Sequence, residues 1–114
     1  MYAKTLFEKI IDKEVPAKIE YEDKLCLAIH DINPKAPVHI LIIPKKAIVR
    51  LSAVKVNDKK ILGHLLLIAS TMAKKLKCES GFRVVINNGS QANEEIPHLH
   101  LHVIGGRQMN WPPG

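Results

Sequence analysis

The order of elements along the chain predicts an α+β fold, an antiparallel five-stranded meander sheet with two helices on one face. Apolar residues three and four apart indicate a short helix near the N-terminus and a long helix in the middle. Strand-like runs joined by short connections occupy the rest of the chain. With 114 residues, we expect a single domain spanning residues 1–114.

The first half predicts a helix followed by three strands. Thr5 is the expected N-cap, and the apolar stripe of the helix includes Leu6, Phe7, Ile10 and Ile11. Strands are expected over 18–21, 25–30 and 38–43, with the third ending at Pro44. Residues 31–37 contain two prolines and should form a loop.

The second half predicts a long helix and two strands. The helix should run from residue 57 or 58 to about 77, with a wide buried face, and Gly81 should close the turn after it. Strands are expected over 82–86 and 97–104, with the polar loop 87–95 between them. A tail rich in glycine and proline follows.

The net charge of +6 and the pI near 9.5 favour anionic partners. The lysines are scattered in pairs, and only 4% of residues are aromatic, so few bases could be stacked. No polynucleotide is therefore expected, whereas a small phosphorylated ligand fits the charge well.

Neither a membrane span nor an export signal is expected from the sequence. No apolar run approaches 18 residues, and residues 1–5 contain no apolar stretch or cleavage site. Cys26 and Cys78 are too few for a disulfide framework or a cysteine metal site. We expect a cytoplasmic protein that does not associate with membranes.

Three of the six histidines alternate with leucines near the end of the chain. On a strand, Leu99 and Leu101 would face the core, while His98, His100 and His102 would share the opposite face. A buried imidazole without a partner costs roughly 1–3 kcal/mol. Three in a row therefore favour a functional role over a structural one, whereas His30 and His64 are expected to be structural.

Two chemistries fit this array. A zinc site is one, but three alternate residues of one straight strand are too spread to hold one tetrahedral ion. Phosphoryl-type transfer is the other, because histidine can attack, donate and position near neutral pH. Asp31 and Asn87 would supply further hydrogen bonds. We favour phosphorus chemistry and keep the zinc protein as an alternative.

The motif at 98–104, with histidine at every second position and apolar residues between, resembles the signature of the histidine triad (HIT) superfamily. The segments 7–11, 14–17, 30–37 and 39–45 and the tail 105–114 are also similar to it. Together these segments cover nearly the whole chain. They resemble most closely the Hint branch, the histidine triad nucleotide-binding proteins.

The resemblance implies a purine nucleoside phosphoramidase that also hydrolyses aminoacyl-adenylates. His100 would attack the α-phosphorus and form a covalent nucleotidyl-histidine that water cleaves. The carbonyl of His98 would hold one ring nitrogen of His100, and His102 would donate to the phosphate. His39 would lie beside the His98 side chain and steady it. Neither a metal nor another cofactor is implied.

The resemblance also assigns the binding residues. Asp31 would accept the ribose hydroxyls. Two further groups would form the apolar slot for the base and the phosphate and leaving-group region. The base slot would comprise Leu6, Phe7, Ile10, Ile29 and Ile32, although core packing explains Leu6 and Ile10 equally well; the phosphate region would comprise Asn87 and the loop residues Asn93, Glu94, Glu95 and Ile96.

The family's usual Gly-Gln is replaced by Asn93-Glu94 in this loop. Asn93 tolerates a positive φ, which would preserve the backbone. Two adjacent acids would repel a phosphate unless one turns to solvent or meets a cationic amine. We therefore expect a changed leaving-group preference, towards lysine-like amines, with activity retained.

The tail 104–114, especially Trp111, resembles the segment that reaches the other subunit in this family, which implies a homodimer with joined sheets. Trp111 acting simply as an interface anchor would also support a dimer. The alternative function is a nucleotide-binding regulatory or interaction module with weak or no hydrolase activity.

Overall fold

The structure is a computed structural model that describes residues 3–114. Met1 and Tyr2, part of the segment judged for an export signal, lie outside the described residues. The expected order of helix, three strands, helix and two strands is confirmed. The elements are α1 (Leu6–Ile11), β1 (Ile19–Glu22), β2 (Cys26–His30), β3 (Val38–Pro44), α2 (Lys59–Lys75), β4 (Phe82–Val85) and β5 (Leu101–Gly105).

The five strands form one antiparallel sheet, but their order is β1-β2-β3-β5-β4, which corrects the expected simple meander. β5 lies between β3 and β4 because its residues are covered on both faces. Leu101 and Val103 are buried on one face, and His102 and Ile104 are partly buried on the other. β4, with its more exposed residues, takes the edge.

The two helices pack on opposite faces of the sheet, which corrects the expectation of helices on one face. β2 and β3 are buried along most of their length and send alternate residues to each side. The α2 face carries Cys26, Ala28, Ile40 and Ile42; the α1 face carries Leu27, Ile29, Leu41 and Ile43.

The two helices begin close to the predicted residues. Thr5 caps α1 in a reciprocal pair with Glu8, whose carboxylate accepts from the Thr5 amide. The cap fixes the short helix that carries Phe7 and Ile10 onto the sheet. α2 is preceded by two 3₁₀ turns and ends at Lys75, two residues before the expected end. Within residues 3–114, no helix is long and apolar enough to cross a membrane.

β5 starts at Leu101, four residues later than expected. Before it, the Leu99 amide donates to the carbonyl of Ile48 at 2.6 Å, and the His98 amide donates to the carbonyl of Ile96 at 2.8 Å. These bonds hold the segment out of the sheet ladder. His98 and His100 therefore precede the strand, although Leu99, Leu101 and Val103 do face the core on the α2 face.

Candidate functional site

A cavity of about 540 Å³ opens on the α1 face, where α1, the loop after β2, the loop after β4 and β5 meet. Residues from both halves of the chain line it. Every residue for which a base, ribose or phosphate contact was expected lies in its wall, except Glu94: Leu6, Phe7, Ile10, Ile29, Asp31, Ile32, Asn87, Asn93, Glu95 and Ile96. His39, His100 and His102 also line it.

The ring of His100 is held by the backbone before it. Its Nδ1 lies 2.8 Å from the carbonyl oxygen of His98, an acceptor, so Nδ1 carries the proton and donates. Nε2 of the neutral ring therefore keeps its lone pair. Phe7 packs against the ring edge-on, with the centroids 4.9 Å apart. Burial lowers the pKa of His100, which favours this neutral form.

His102 is oriented by a chain of hydrogen bonds through His39. The Lys35 amide donates to His39 Nδ1 at 3.0 Å, so the proton of neutral His39 sits on Nε2. That atom is 2.9 Å from His102 Nδ1 and donates to it. His102 consequently carries its own proton on Nε2. Burial, followed by the neighbouring His100 and His39, lowers the pKa of His102 to about 4.

His39 contacts His102, not His98, which corrects the expectation. In the antiparallel register, His39 lies opposite Ile104 and Leu41 lies opposite His102, so His39 and His102 are diagonal neighbours on one face. His98 lies at the other end of β3. Its Nε2 donates to the carbonyl of Pro44 at 2.8 Å, and its side chain is buried outside the cavity wall.

Asp31 lies in the cavity wall next to His39. Its Oδ1 accepts from the Asn33 amide at 2.8 Å, and its Oδ2 lies 3.3 Å from His39 Nε2. One ligand atom from each of Asp31, His39 and His102 lies within 4.8 Å of the others, a grouping that could hold a metal ion. This set differs from His98, His100 and His102, the three histidines that the sequence offers as zinc ligands.

The loop after β4 separates its two acids. Asn93 adopts φ +62°, the left-handed conformation that asparagine tolerates. Glu94 turns away from the cavity and meets the Arg50 guanidinium at 2.9 and 3.0 Å. Arg50, with the Gly89 amide, lowers the pKa of Glu94 to about 2. Glu95 is exposed and lines the cavity, so a single acid of the pair faces the cavity.

Sequence reasoning missed several contributors. Lys35 acts through its backbone amide, which no side-chain pattern reveals. Arg50 lies 44 residues from Glu94, and its role depends on the fold. His30, expected to be structural, pairs with Glu20 at 2.9 Å and also lines the cavity. Trp111 does not reach this chain's cavity; it is 82% exposed, and Arg83 lies over its ring.

The chain is similar to known proteins over most of its length. A protein-family model described as the HIT domain matches residues 12–109. An uncharacterized HIT-like protein of Synechocystis is 54% identical over 110 residues, covering 96% of each chain. A 14 kDa zinc-binding protein of Zea mays is 50% identical over 112 residues, covering 96% of this chain and 88% of that one.

The crystal structure of a HIT family hydrolase from Legionella pneumophila superimposes with a TM-score of 0.95 at 45% identity, covering 97% of this chain and all of that one. A HIT family hydrolase from Clostridium thermocellum gives 0.92 at 40% identity, covering 96% of each chain. The family model, the sequence identities and the shared fold agree over nearly the whole chain, and the chain belongs to the HIT family.

Proposed function

We propose that this protein is a purine nucleotide-binding hydrolase that cleaves the P–N bond of nucleoside phosphoramidates and also hydrolyses aminoacyl-adenylates. One observation carries the proposal: the His98 carbonyl holds Nδ1–H of His100 and leaves its Nε2 lone pair free in a cavity of nucleotide size. The two HIT family hydrolases that share the fold support hydrolysis as the reaction class.

In the first step, His100 Nε2 attacks the α-phosphorus. A P–N(His) bond forms while the bond from phosphorus to the amine breaks, and the amine takes up a proton from solvent as it leaves. His102 donates its Nε2–H to a phosphate oxygen as charge builds there. The His39 bond, which fixes this tautomer of His102, makes His39 part of the catalytic arrangement.

In the second step, water attacks the nucleotidyl-histidine. A P–O bond to the water oxygen forms as the P–N(His) bond breaks, and the water gives up one proton to solvent. The nucleoside monophosphate is released, and His100 recovers its lone pair. The imidazole of His100, held by the His98 carbonyl, is a good leaving group. Two displacements with moderate barriers therefore replace one displacement with a high barrier. This sequence of steps needs no metal or other cofactor.

The positions of residues in the cavity wall support the proposed binding roles. Asp31, whose Oδ2 faces His39, accepts the ribose hydroxyls. Phe7, Ile10, Ile29 and Ile32 form the base slot, with Leu6 at its edge. The loop residues Asn87, Asn93, Glu95 and Ile96 surround the phosphate and the leaving amine.

The proposal includes a cytoplasmic homodimer. β4 is an edge strand with Val84 partly exposed, and Leu66 and Leu67 on α2 are more than half exposed, surfaces that a second copy would cover. Trp111 in the exposed tail is then available to the other subunit. The two buried cysteines are free thiols, as is usual in a reducing compartment. Light scattering should give the mass of two chains.

Intact-protein mass spectrometry tests the reaction. Wild type, His100→Ala and the matched control His64→Gln are mixed with an adenosine phosphoramidate, and AMP release is followed in parallel. His64 lies outside the cavity and bonds to Asp23, so its loss controls for the removal of an imidazole.

We expect a transient adenylyl adduct and AMP release from wild type and the control, and neither from His100→Ala. Nucleotide binding without adduct or release in wild type would favour the alternative, a regulatory or interaction module. Absence of both binding and release would contradict the proposed function altogether.

A further inference from the structure

The segment 48–52, which lies outside the cavity, contacts the connection between β4 and β5 (residues 86–100) at three points. The Ile48 carbonyl accepts from Leu99, the residue between His98 and His100, at 2.6 Å. The Ser52 amide donates to Asn88 Oδ1 at 2.8 Å, next to the cavity residue Asn87. Arg50 binds Glu94 between these two anchors.

The Arg50–Glu94 pair is the charged anchor of the three. Two parallel N–H···O bonds of 2.9 and 3.0 Å form a bidentate contact, which fixes both the position and the direction of the carboxylate. Oε1 of Glu94 also accepts from the Gly89 amide at 3.0 Å. The Glu94 side chain is only 10% exposed, whereas that of Arg50 is 37% exposed.

The charges of the cavity wall indicate how the Arg50–Glu94 pair would affect a phosphate bound in the cavity. Asp31 and Glu95 are carboxylates in the wall, and Lys35 is its one lysine or arginine among the residues described. Asn93 and Glu95 line the cavity on either side of Glu94, which does not. A Glu94 carboxylate freed from Arg50 would add a third negative charge to a wall that must accept a phosphate.

We propose that Arg50 is a positioning residue for the phosphate site: it neutralises the Glu94 carboxylate and holds it out of the cavity wall. This inference rests on the proposed function, because it assumes that an anionic phosphate occupies the cavity. The guanidinium thereby makes the Asn93-Glu94 sequence compatible with a phosphate ligand.

If Arg50 acts by shielding the Glu94 charge, loss of Arg50 should weaken AMP binding more than loss of the Glu94 charge does. A purely structural role predicts equal losses. Loss of Arg50 leaves a poorly exposed carboxylate without its counter-ion and bonded only to the Gly89 amide, so its full negative charge acts on the cavity. Loss of the Glu94 charge leaves a guanidinium that water can reach, which costs less. Removal of both charges restores the wild-type net charge beside the cavity, so the double variant should recover the AMP affinity that Arg50→Gln alone loses.

The experiment is a double-mutant cycle with Arg50→Gln, Glu94→Gln and the double variant. Lys75→Gln is the matched control, because Lys75 pairs with Glu20 outside the cavity and its loss changes the net charge by the same amount. AMP affinity by calorimetry, and kcat and KM for an adenosine phosphoramidate, are measured at low and high salt. Circular dichroism melting checks that each variant folds.

At low salt, we expect Arg50→Gln to weaken AMP binding and raise KM about tenfold, as one extra like charge near a phosphate does. Glu94→Gln and Lys75→Gln should stay within about threefold of wild type, on the scale of an exposed ion pair. The double variant should bind like Glu94→Gln. The Arg50→Gln penalty should shrink at high salt, because ions screen it.

Equal losses in both single variants, or a double variant no better than Arg50→Gln, would overturn the inference while leaving the proposed function intact. A penalty unchanged by salt would also overturn it, because packing alone would explain that result. Wild type that binds no AMP would instead remove the proposed function, and the inference with it.

Discussion

The two faces of the sheet differ in what covers them, although β2 and β3 supply alternate residues to both. On the α2 face, a helix of 17 residues covers Ile40, Ile42 and Leu101 in a continuous apolar cluster. On the α1 face, a helix of six residues covers only part of the surface. The remainder of that face is the cavity with His39, His100 and His102.

The two faces of the sheet therefore contribute differently: the α2 face mainly stabilises the fold, and the α1 face carries the candidate catalytic groups. The α2 face buries aliphatic side chains without polar partners, which is the main source of folding free energy. The α1 face carries imidazoles whose burial costs free energy and is offset by hydrogen bonds to backbone and to one another. Substitutions on the two faces should therefore affect different measurements.

The largest effect on the α1 face, short of removing the nucleophile, is expected for His102→Ala. Loss of the donor to the phosphate should lower kcat by about a hundred- to a thousandfold. The free energy of unfolding should change by less than about 1 kcal/mol, because a poorly solvated imidazole is also removed. Stopped-flow adduct formation and urea unfolding check the two parts; a kcat within tenfold of wild type would contradict the donor role.

Neighbouring residues of β3 sharpen the contrast. Ile42→Ala, on the α2 face, should lower the free energy of unfolding by about 3 kcal/mol because it leaves a cavity in the core. Its kcat below the melting transition should stay within about twofold of wild type, on the scale expected for a change remote from the site.

Leu41→Ala is the matched substitution on the α1 face, opposite His102 in the register. It should lower both the unfolding free energy and kcat, since it removes packing beneath the catalytic imidazoles. Equal kcat losses in the two variants would show that the faces are not independent. Urea unfolding and steady-state kinetics on the same samples provide the test.

The first effect of acidification, just below pH 6.5, should fall on the imidazoles of the α1 face. Burial lowers the pKa values of His39, His100 and His102 below the ordinary 6.5. The unfolded chain therefore binds protons that the folded chain excludes, so stability should fall as pH drops below 6.5, until about pH 4, where His102 titrates in the folded state.

Activity should follow the same direction, because protonation of His100 Nε2 removes the attacking lone pair. We expect kcat/KM to be level above pH 6.5 and to decline only below it, with Ile42→Ala keeping the wild-type profile. A profile that rises on acidification would contradict a neutral nucleophile. Initial rates from pH 5 to 8 give the answer.

The smallest effect is expected at the rim of the cavity. Glu95 is an exposed carboxylate in the wall, and Glu95→Ser should reduce the preference for cationic over neutral amine leaving groups by about threefold. Its stability should match wild type. Unchanged relative rates across a series of amines would exclude Glu95 as a determinant of leaving-group preference.

Local patterns predicted most of the elements. The spacing of Leu6, Phe7 and Ile10 and the Thr5 cap predicted α1, and the apolar stripe predicted α2 to within two residues. The predicted strand 97–104 was wrong over its first four residues. Alternation alone could not reveal that the Ile48 carbonyl accepts a hydrogen bond from the Leu99 amide. This bond leaves His98 and His100 outside the strand ladder.

The sequence by itself determined the order of the elements, the family and many of the cavity residues, because the histidine motif and its neighbouring segments are read residue by residue. Only the tertiary structure decided that the helices take opposite faces and that β5 enters between β3 and β4. It alone paired His39 with His102 and Arg50 with Glu94. These contacts join residues 63 and 44 positions apart, and their partners are chosen by strand register and loop closure, which no local pattern encodes.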